Sequence, residues 1–245
     1  MTDTLVWITG ASSGIGAALA ATVPWDNAHV FDISRSGGAP GTEHVPADLS
    51  DPASWAALEA HLMAQVGAFR GDRLVFIHCA GTLEPMGFAG EVDSAAYQRN
   101  VVLNSAAPQA LGHGFLRAVT SFAGESHLIL LSSGAATTPY PGWSSYSAGK
   151  AATEMWCRAA GEEQQLRAQR GQPSTRIVAV APGVVATPMQ QQIRAMSSED
   201  FPAVDKFIGL HERGELVEPD DAARNIWGLL ERDLPTGSCV DVRKL

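Results

Sequence analysis

Short runs of aliphatic and β-branched residues recur along the chain: LVWIT (5–9), HVFDIS (29–34), LVFIH (74–78), HLILLS (127–132) and RIVAVA (176–181). Most do not alternate strictly with polar residues, so each predicts a strand buried on both faces. Between them lie alanine-rich stretches with apolar residues at helical spacing, Pro52–Val66, Ala95–Ala118 and Ser144–Arg170. This alternation predicts an α/β fold, a doubly wound parallel sheet with right-handed crossovers and helices on both faces. Residues 187–216 hold neither period and read as a polar, irregular flap over a site, closed by ELVEPDD (215–221), which has the form of a helix start. No repeat, low-complexity tract or long linker interrupts the pattern, so one domain is expected over residues 1–245.

Composition narrows the partners. A hydrophobic fraction of 45% with 18% charged residues is that of an ordinary globular chain. The formal net charge of -9 sets repulsion against nucleic acid and anionic membrane, which leaves a small molecule as the expected partner. Cys79, Cys157 and Cys239 are far apart, with no CxxC and no histidine-rich neighbourhood, so neither a disulfide framework nor a metal site is expected and the setting reads as reducing and cytoplasmic. No leader with a basic start and apolar continuation is read, and no apolar run reaches the ~18 residues needed to span a bilayer.

The first strand runs directly into TGASSGIG and then into the helical IGAALAAT. Gly10, Gly14 and Gly16 at a strand-to-helix turn let backbone approach a phosphate, while the helix N-terminus offers free N–H groups; Ser12, Ser13 and Ile15 complete the turn. The spacing is G-x-x-x-G-x-G, different from the G-x-G-x-x-G dinucleotide fingerprint. Further on, GWSSYSAGK places Lys150 one helical turn after Tyr146. Lowering a tyrosine pKa from ~10 to ~7 takes ~4 kcal/mol, which an ammonium ~4 Å away in an effective dielectric of ~20 supplies. Such pairs are also common on exposed helices, where they do nothing. Ser133, thirteen residues ahead of Tyr146 at the end of a strand, lies where ligands bind in open α/β sheets.

Together, TGASSGIG, CAG (79–81), LLSSGAA (130–136), YSAGK (146–150) and PGVVATPM (182–189) resemble the short-chain dehydrogenase/reductase family, in order and over nearly the whole chain. CAGTLEP, SSGAATTPYPGW and GELVEPDDAA are further similar to its sepiapterin reductase and benzil reductase branch. The resemblance implies a single Rossmann-type domain and hydride exchange between NAD(P)H and a carbonyl or alcohol. It makes Tyr146 the acid/base, Lys150 the residue that lowers its pKa and holds the cofactor ribose, and Ser133 the donor to the substrate oxygen. Spacing from Tyr97 places the family's helix asparagine at Asn104 in preference to Asn100, with the role of kinking the helix and binding a water that relays protons to Lys150. Pro182 and Gly183 would turn under the nicotinamide, and Val185 and Thr187 match positions that contact its carboxamide.

At the end of the second strand the family's selecting position falls on Ser34, followed by Arg35, which favours NADP; Asp32, two residues earlier, keeps NAD possible. Asp48, with Leu49 beside it, ends the third strand and matches a contact to the adenine amino group. Cys79-Ala80-Gly81 departs from the family's Asn-Ala-Gly: a thiol bonds weakly, so bracing of the neighbouring strand is in question, while Gly81 still permits close approach. Leu83, Pro85, Met86, Ala135, Tyr140, Trp143 and Met189 would give a mostly apolar substrate pocket, suited to a hydrophobic or aromatic ketone or diketone. Family members pair through the long helices after strands four and five, which implies a homodimer or homotetramer. An NADP-binding regulatory protein without turnover and a dehydratase or epimerase are the other readings.

Overall fold

The computed structural model describes residues 3–245. The buried runs form a seven-stranded sheet of β1 (Thr4–Thr9), β2 (Ala28–Ser34), β3 (Glu43–Pro46), β4 (Arg73–His78), β5 (Glu125–Leu131), β6 (Arg176–Ala181) and β7 (Ser238–Asp241). Every neighbouring pair is parallel, in the order β3-β2-β1-β4-β5-β6-β7. The helices are α1 (Gly14–Ala21), α2 (Trp55–Ala68), α3 (Ser94–Val101), α4 (Ala107–Ala118), α5 (Ser144–Gln169), α6 (Pro188–Arg194), α7 (Val204–Glu212) and α8 (Pro219–Trp227).

The absence of polar alternation in β1 has a direct cause. Leu5 and Trp7 enter the core on one face of the sheet, with Phe31, Phe76 and Phe115, and Val6 and Ile8 enter the core on the other, with Leu19, Ile226 and Trp227. Both faces are dry, so both sets of side chains are apolar. The chain reverses direction across the sheet between β1 and β4, and this switch point fixes where a ligand can lie, outside the carboxyl ends of those strands.

Sequence and structure differ in three places. The flap expected to be irregular instead holds α6 and α7, whose Ile193, Val204 and Phe207 bury into a separate aromatic cluster with Trp143 and Phe201. The helical stretch at 95–118 is broken by a π-helical segment, Val102–Ala106, centred on Asn104. The seventh strand has no counterpart in the sequence reading, because its four residues, SCVD, are half-buried and half polar. No described helix is long and apolar enough to cross a membrane.

Helix α5 approaches the turn before β7 with no room for a side chain. A Cβ on Gly161 would stand 2.3 Å from Gly237 Cα and 2.5 Å from its nitrogen. Gly161→Ala would bring about 1 kcal/mol of helix propensity, but forcing the methyl against backbone costs about 1–3 kcal/mol. The contact matches or outweighs the propensity gain, and the variant is expected to lose up to about 2 kcal/mol in urea unfolding; a midpoint above the parent's would contradict this packing.

Candidate active site

A cleft of about 1240 Å³ runs along the carboxyl ends of the strands. One end is lined by the turn from Gly10 to Ile15 and by Ser34, Arg35, Asp48 and Leu49; the middle by Cys79, Ala80, Gly81, Ser133, Tyr146 and Lys150; the far end by Ala135, Tyr140, Trp143 and α6–α7. Pro182, Gly183, Val185 and Thr187 also line it. Pro85 and Met86 do not, and Met86 packs against the aromatic cluster from behind, so these two leave the expected substrate pocket.

The glycine turn is built for close approach. Gly10 and Gly14 take left-handed φ values of 70° and 54°. Gly16 lies so close to the Gly10 carbonyl that a Cβ would stand 2.2 Å from the oxygen. Ser13 caps α1 without spending its side chain on the helix, so the first N–H groups of α1 remain for a ligand in the cleft. At the neighbouring edge, Ser34 Oγ accepts from Gly37 N at 3.0 Å, which folds the chain back beside the exposed Arg35. Asp48 Oδ1 accepts from Ser50 N and Oγ at 3.0 and 2.7 Å. These Ser50 bonds, and more weakly the Arg35 charge, hold the carboxyl below its usual range against the effect of partial burial. Asp32 does not line the cleft: it is fully buried, and its carboxylate has no hydrogen-bond partner among the described residues.

Bracing of the loop after β4, in question because of Cys79, comes from β1. Thr9 Oγ1 accepts from both Cys79 N and Ala80 N at 3.0 Å and stands 3.3 Å from His78 Nδ1. The thiol is therefore free of structural duty, and desolvation pushes it up to about 12, against the opposing Lys150 charge, which suits a small half-buried residue and not a nucleophile. Farther along the loop, Asn104 Nδ2 donates to Thr82 O at 2.7 Å and to Asn100 Oδ1 at 2.8 Å, and its Oδ1 accepts from Thr82 N at 3.1 Å. Asn100 Nδ2 in turn donates to Glu84 O at 2.8 Å. Both asparagines, not one of them, clamp this loop, and the distortion expected of Asn104 is the π-helical segment around it.

Helix α5 sets three side chains against the end of β5 at successive turns. Tyr146 faces the cleft beside Ser133, whose side chain lowers the phenol's pKa. Lys150 Nζ donates to Leu131 O at 2.7 Å. Glu154 Oε1 accepts from Ser132 Oγ at 2.8 Å, with Arg158 donating to its Oε2 at 3.0 Å. Ser132 thus points into the fold and Ser133 into the cleft, as the sequence suggests. Glu154, Thr9 and Thr82 were not legible as site residues; Glu154 falls on the i, i+4, i+8 face of Tyr146 and Lys150, the one signal that could have found it.

The electrostatics differ from the expectation for Tyr146. Burial raises the phenol above its ordinary value, the neighbouring Ser133 hydroxyl pulls it back, and Lys150 is not among the groups that lower it. The lysine stands 5.6 Å from the phenol ring centroid with its ammonium directed at Leu131, and burial brings that ammonium down to about 8. Burial, with the nearby Lys150 charge, likewise brings the His78 imidazole down to about 3.

The short chain dehydrogenase family model matches residues 4–198. The chain is 31% identical to benzil reductase ((S)-benzoin forming) of Bacillus subtilis over 97% of each chain. It is 34% identical to sepiapterin reductase of Rattus norvegicus over 70% of this chain and 64% of that one. The crystal structure of the KRED1-Pglu enzyme superposes with a TM-score of 0.79 at 28% identity, covering 97% of this chain and 100% of that one. The chain belongs to the short-chain dehydrogenase/reductase family, in the branch of the benzil and sepiapterin reductases. It is an oxidoreductase that uses a nicotinamide cofactor and works between a carbonyl and an alcohol.

His78 gives a stability prediction. Its native imidazole stays neutral down to about pH 3, whereas an unfolded one protonates near its ordinary value of 6.5. Between those values the unfolded chain binds the extra proton, so stability is lost as pH falls, by up to about 1.4 kcal/mol per pH unit for this group. Buried His127, lowered to about 4, adds in the same direction. Urea unfolding at pH 7, 6 and 5 is expected to trace this decline, with a shallower slope in His78→Gln; equal slopes would mean that the imidazole is not held neutral.

Proposed function

We propose that the chain is an NADP(H)-dependent ketone reductase acting on hydrophobic or aromatic ketones and diketones. The observation that carries this reading is the position of Tyr146, lining the cleft beside Ser133 and Lys150 at the seam between a glycine-lined nucleotide cradle and an aromatic pocket. The bound cofactor supplies the hydride. Tyr146 gives its proton to the oxygen of the nascent alkoxide, and Ser133 donates to the same oxygen and steadies its charge. Lys150, anchored on Leu131 O, holds the ribose and returns a proton to the phenol, with Asn104 and its π-helical turn keeping that relay open. Pro182 and Gly183, with Val185 and Thr187, orient the reacting ring.

Arg35 supports NADP: it lines the cleft beside Ser34, with no acidic side chain in the cleft at that strand end to bind the ribose hydroxyls in its place. The aromatic wall of Tyr140, Trp143 and Phe207 supports an aromatic ketone, the substrate type named by the Bacillus relatives. Exposed Val101 on α3 and Met155 and Leu166 on α5 support assembly through those helices as a homodimer or homotetramer. Three free cysteines suit a reducing, cytoplasmic setting.

A panel of ketones with benzil, run with NADPH and NADH side by side, tests the reaction through loss of nicotinamide absorbance. Tyr146→Phe is expected to lose about 10²–10⁴-fold in kcat, and undiminished turnover would remove Tyr146 as the acid. Cofactor binding without consumption by any ketone would favour the regulatory reading. Arg35→Ala is expected to raise the KM for NADPH about tenfold, as a lost charge-assisted phosphate contact of ~1.4 kcal/mol does, with little change for NADH. A parallel rise for both cofactors would place the 2′-phosphate elsewhere.

A further inference from the structure

The substrate end of the cleft sets an aromatic wall beside a few charged and amide side chains, and one of the charges stands out. Lys206, on α7, donates to the Tyr140 hydroxyl at 2.7 Å and lies 5.0 Å from the Tyr140 ring centroid and 5.6 Å from that of Phe207. Among the described residues it joins no ion pair, and the hydroxyl of Tyr140 is its one polar side-chain partner. Lysine is scarce in this acidic chain, and this one lines the cleft. A second cation, Arg243, lies near enough to Tyr140 to feel it, but it is neutralised by Asp241. Of the carboxylates at this end of the cleft, Glu215 is tied to Arg213, and Glu84 sits on the loop held by Asn100.

We infer that Lys206 and Tyr140 form a carboxylate subsite, and that the preferred substrates are aromatic ketones bearing a carboxylate on the side away from the reacting carbonyl. The ammonium supplies the charge. Because the Tyr140 oxygen accepts from Lys206, its own O–H is left to donate, so the pair offers two donors to one carboxylate. Tyr140 also holds the lysine in place before substrate arrives, which lowers the ordering cost that makes most exposed ion pairs ineffective. The rings of Tyr140, Trp143 and Phe207 meanwhile take the apolar body of the ligand.

This inference rests on the ketone reductase reading and deepens it. The probes are benzil and 4-carboxybenzil, compared by the ratio of their kcat/KM values with the full-length protein and NADPH. The parent protein is expected to favour the carboxylate about fivefold, with the preference shrinking as ionic strength rises from about 10 to about 500 mM. Lys206→Met is expected to bring the ratio to about one, and Lys206→Arg to keep it. A lysine that merely tethered α7 would change both substrates alike and leave the ratio where it was. A parent ratio of one or less, or an unchanged ratio in Lys206→Met while benzil is still reduced, overturns the subsite and leaves ketone reduction standing. Failure of the parent protein to reduce either ketone overturns both.

Discussion

The site depends on the register of one helix against the end of one strand. Three side chains of α5, spaced four residues apart, face three consecutive residues at the β5 terminus: Lys150 is hydrogen-bonded to Leu131, Glu154 to Ser132, and Tyr146 lies beside Ser133 in the cleft. A rotation of the helix by one residue, about 100°, would break all three at once. Gly149 and Gly161 permit the close seat: a Cβ on the first would stand 2.7 Å from Asn104 Cβ, and Gly161 abuts the backbone at Gly237. The small residues and the polar rungs therefore serve a single requirement, which is to seat Tyr146 against the strand end in the middle of the cleft.

That precision comes at an energetic cost. Lys150 and Tyr146 are both buried, and burial moves each away from its charged form. Isolated charges in such surroundings would be costly, and the ammonium has a carbonyl as its hydrogen-bonded partner in place of a carboxylate. The carboxylate of the ladder is instead placed one turn farther on, at Glu154, where Arg158 neutralises it. Separating these charges along the helix leaves the lysine without a salt bridge that would lock it, and so able to exchange protons.

Much of this was legible in the sequence. The strands of the inner sheet declared themselves because residues dry on both faces must be apolar throughout, as in LVWIT. Tyr146, Lys150, Ser133 and the glycine turn were singled out through the resemblance of their motifs, and the structure brings them together along one cleft. What could not be read was long-range or local in a different way. Thr9 and Thr82 act through contacts with distant loops. The fully buried Asp32 shows that alternation along a strand does not say whether a side chain reaches the cleft or stops in the interior. The order in residues 187–216 was hidden because α6 and α7 are short helices whose apolar residues pack on Trp143 and Phe201 from elsewhere in the chain. Lys206 was missed for the same reason, since nothing near it in sequence marks Tyr140 as its neighbour.

The aromatic cluster around Trp143 has no residue in common with the two cores that flank the sheet. The wall facing the substrate is packed largely from α6, α7 and the loops around them, and it joins the scaffold through Leu83, Ala135 and Tyr146. Its lining can drift under selection for new ligands while the nucleotide cradle and the strand order stay fixed, a division of labour that lets one architecture diversify its chemistry at little risk to folding.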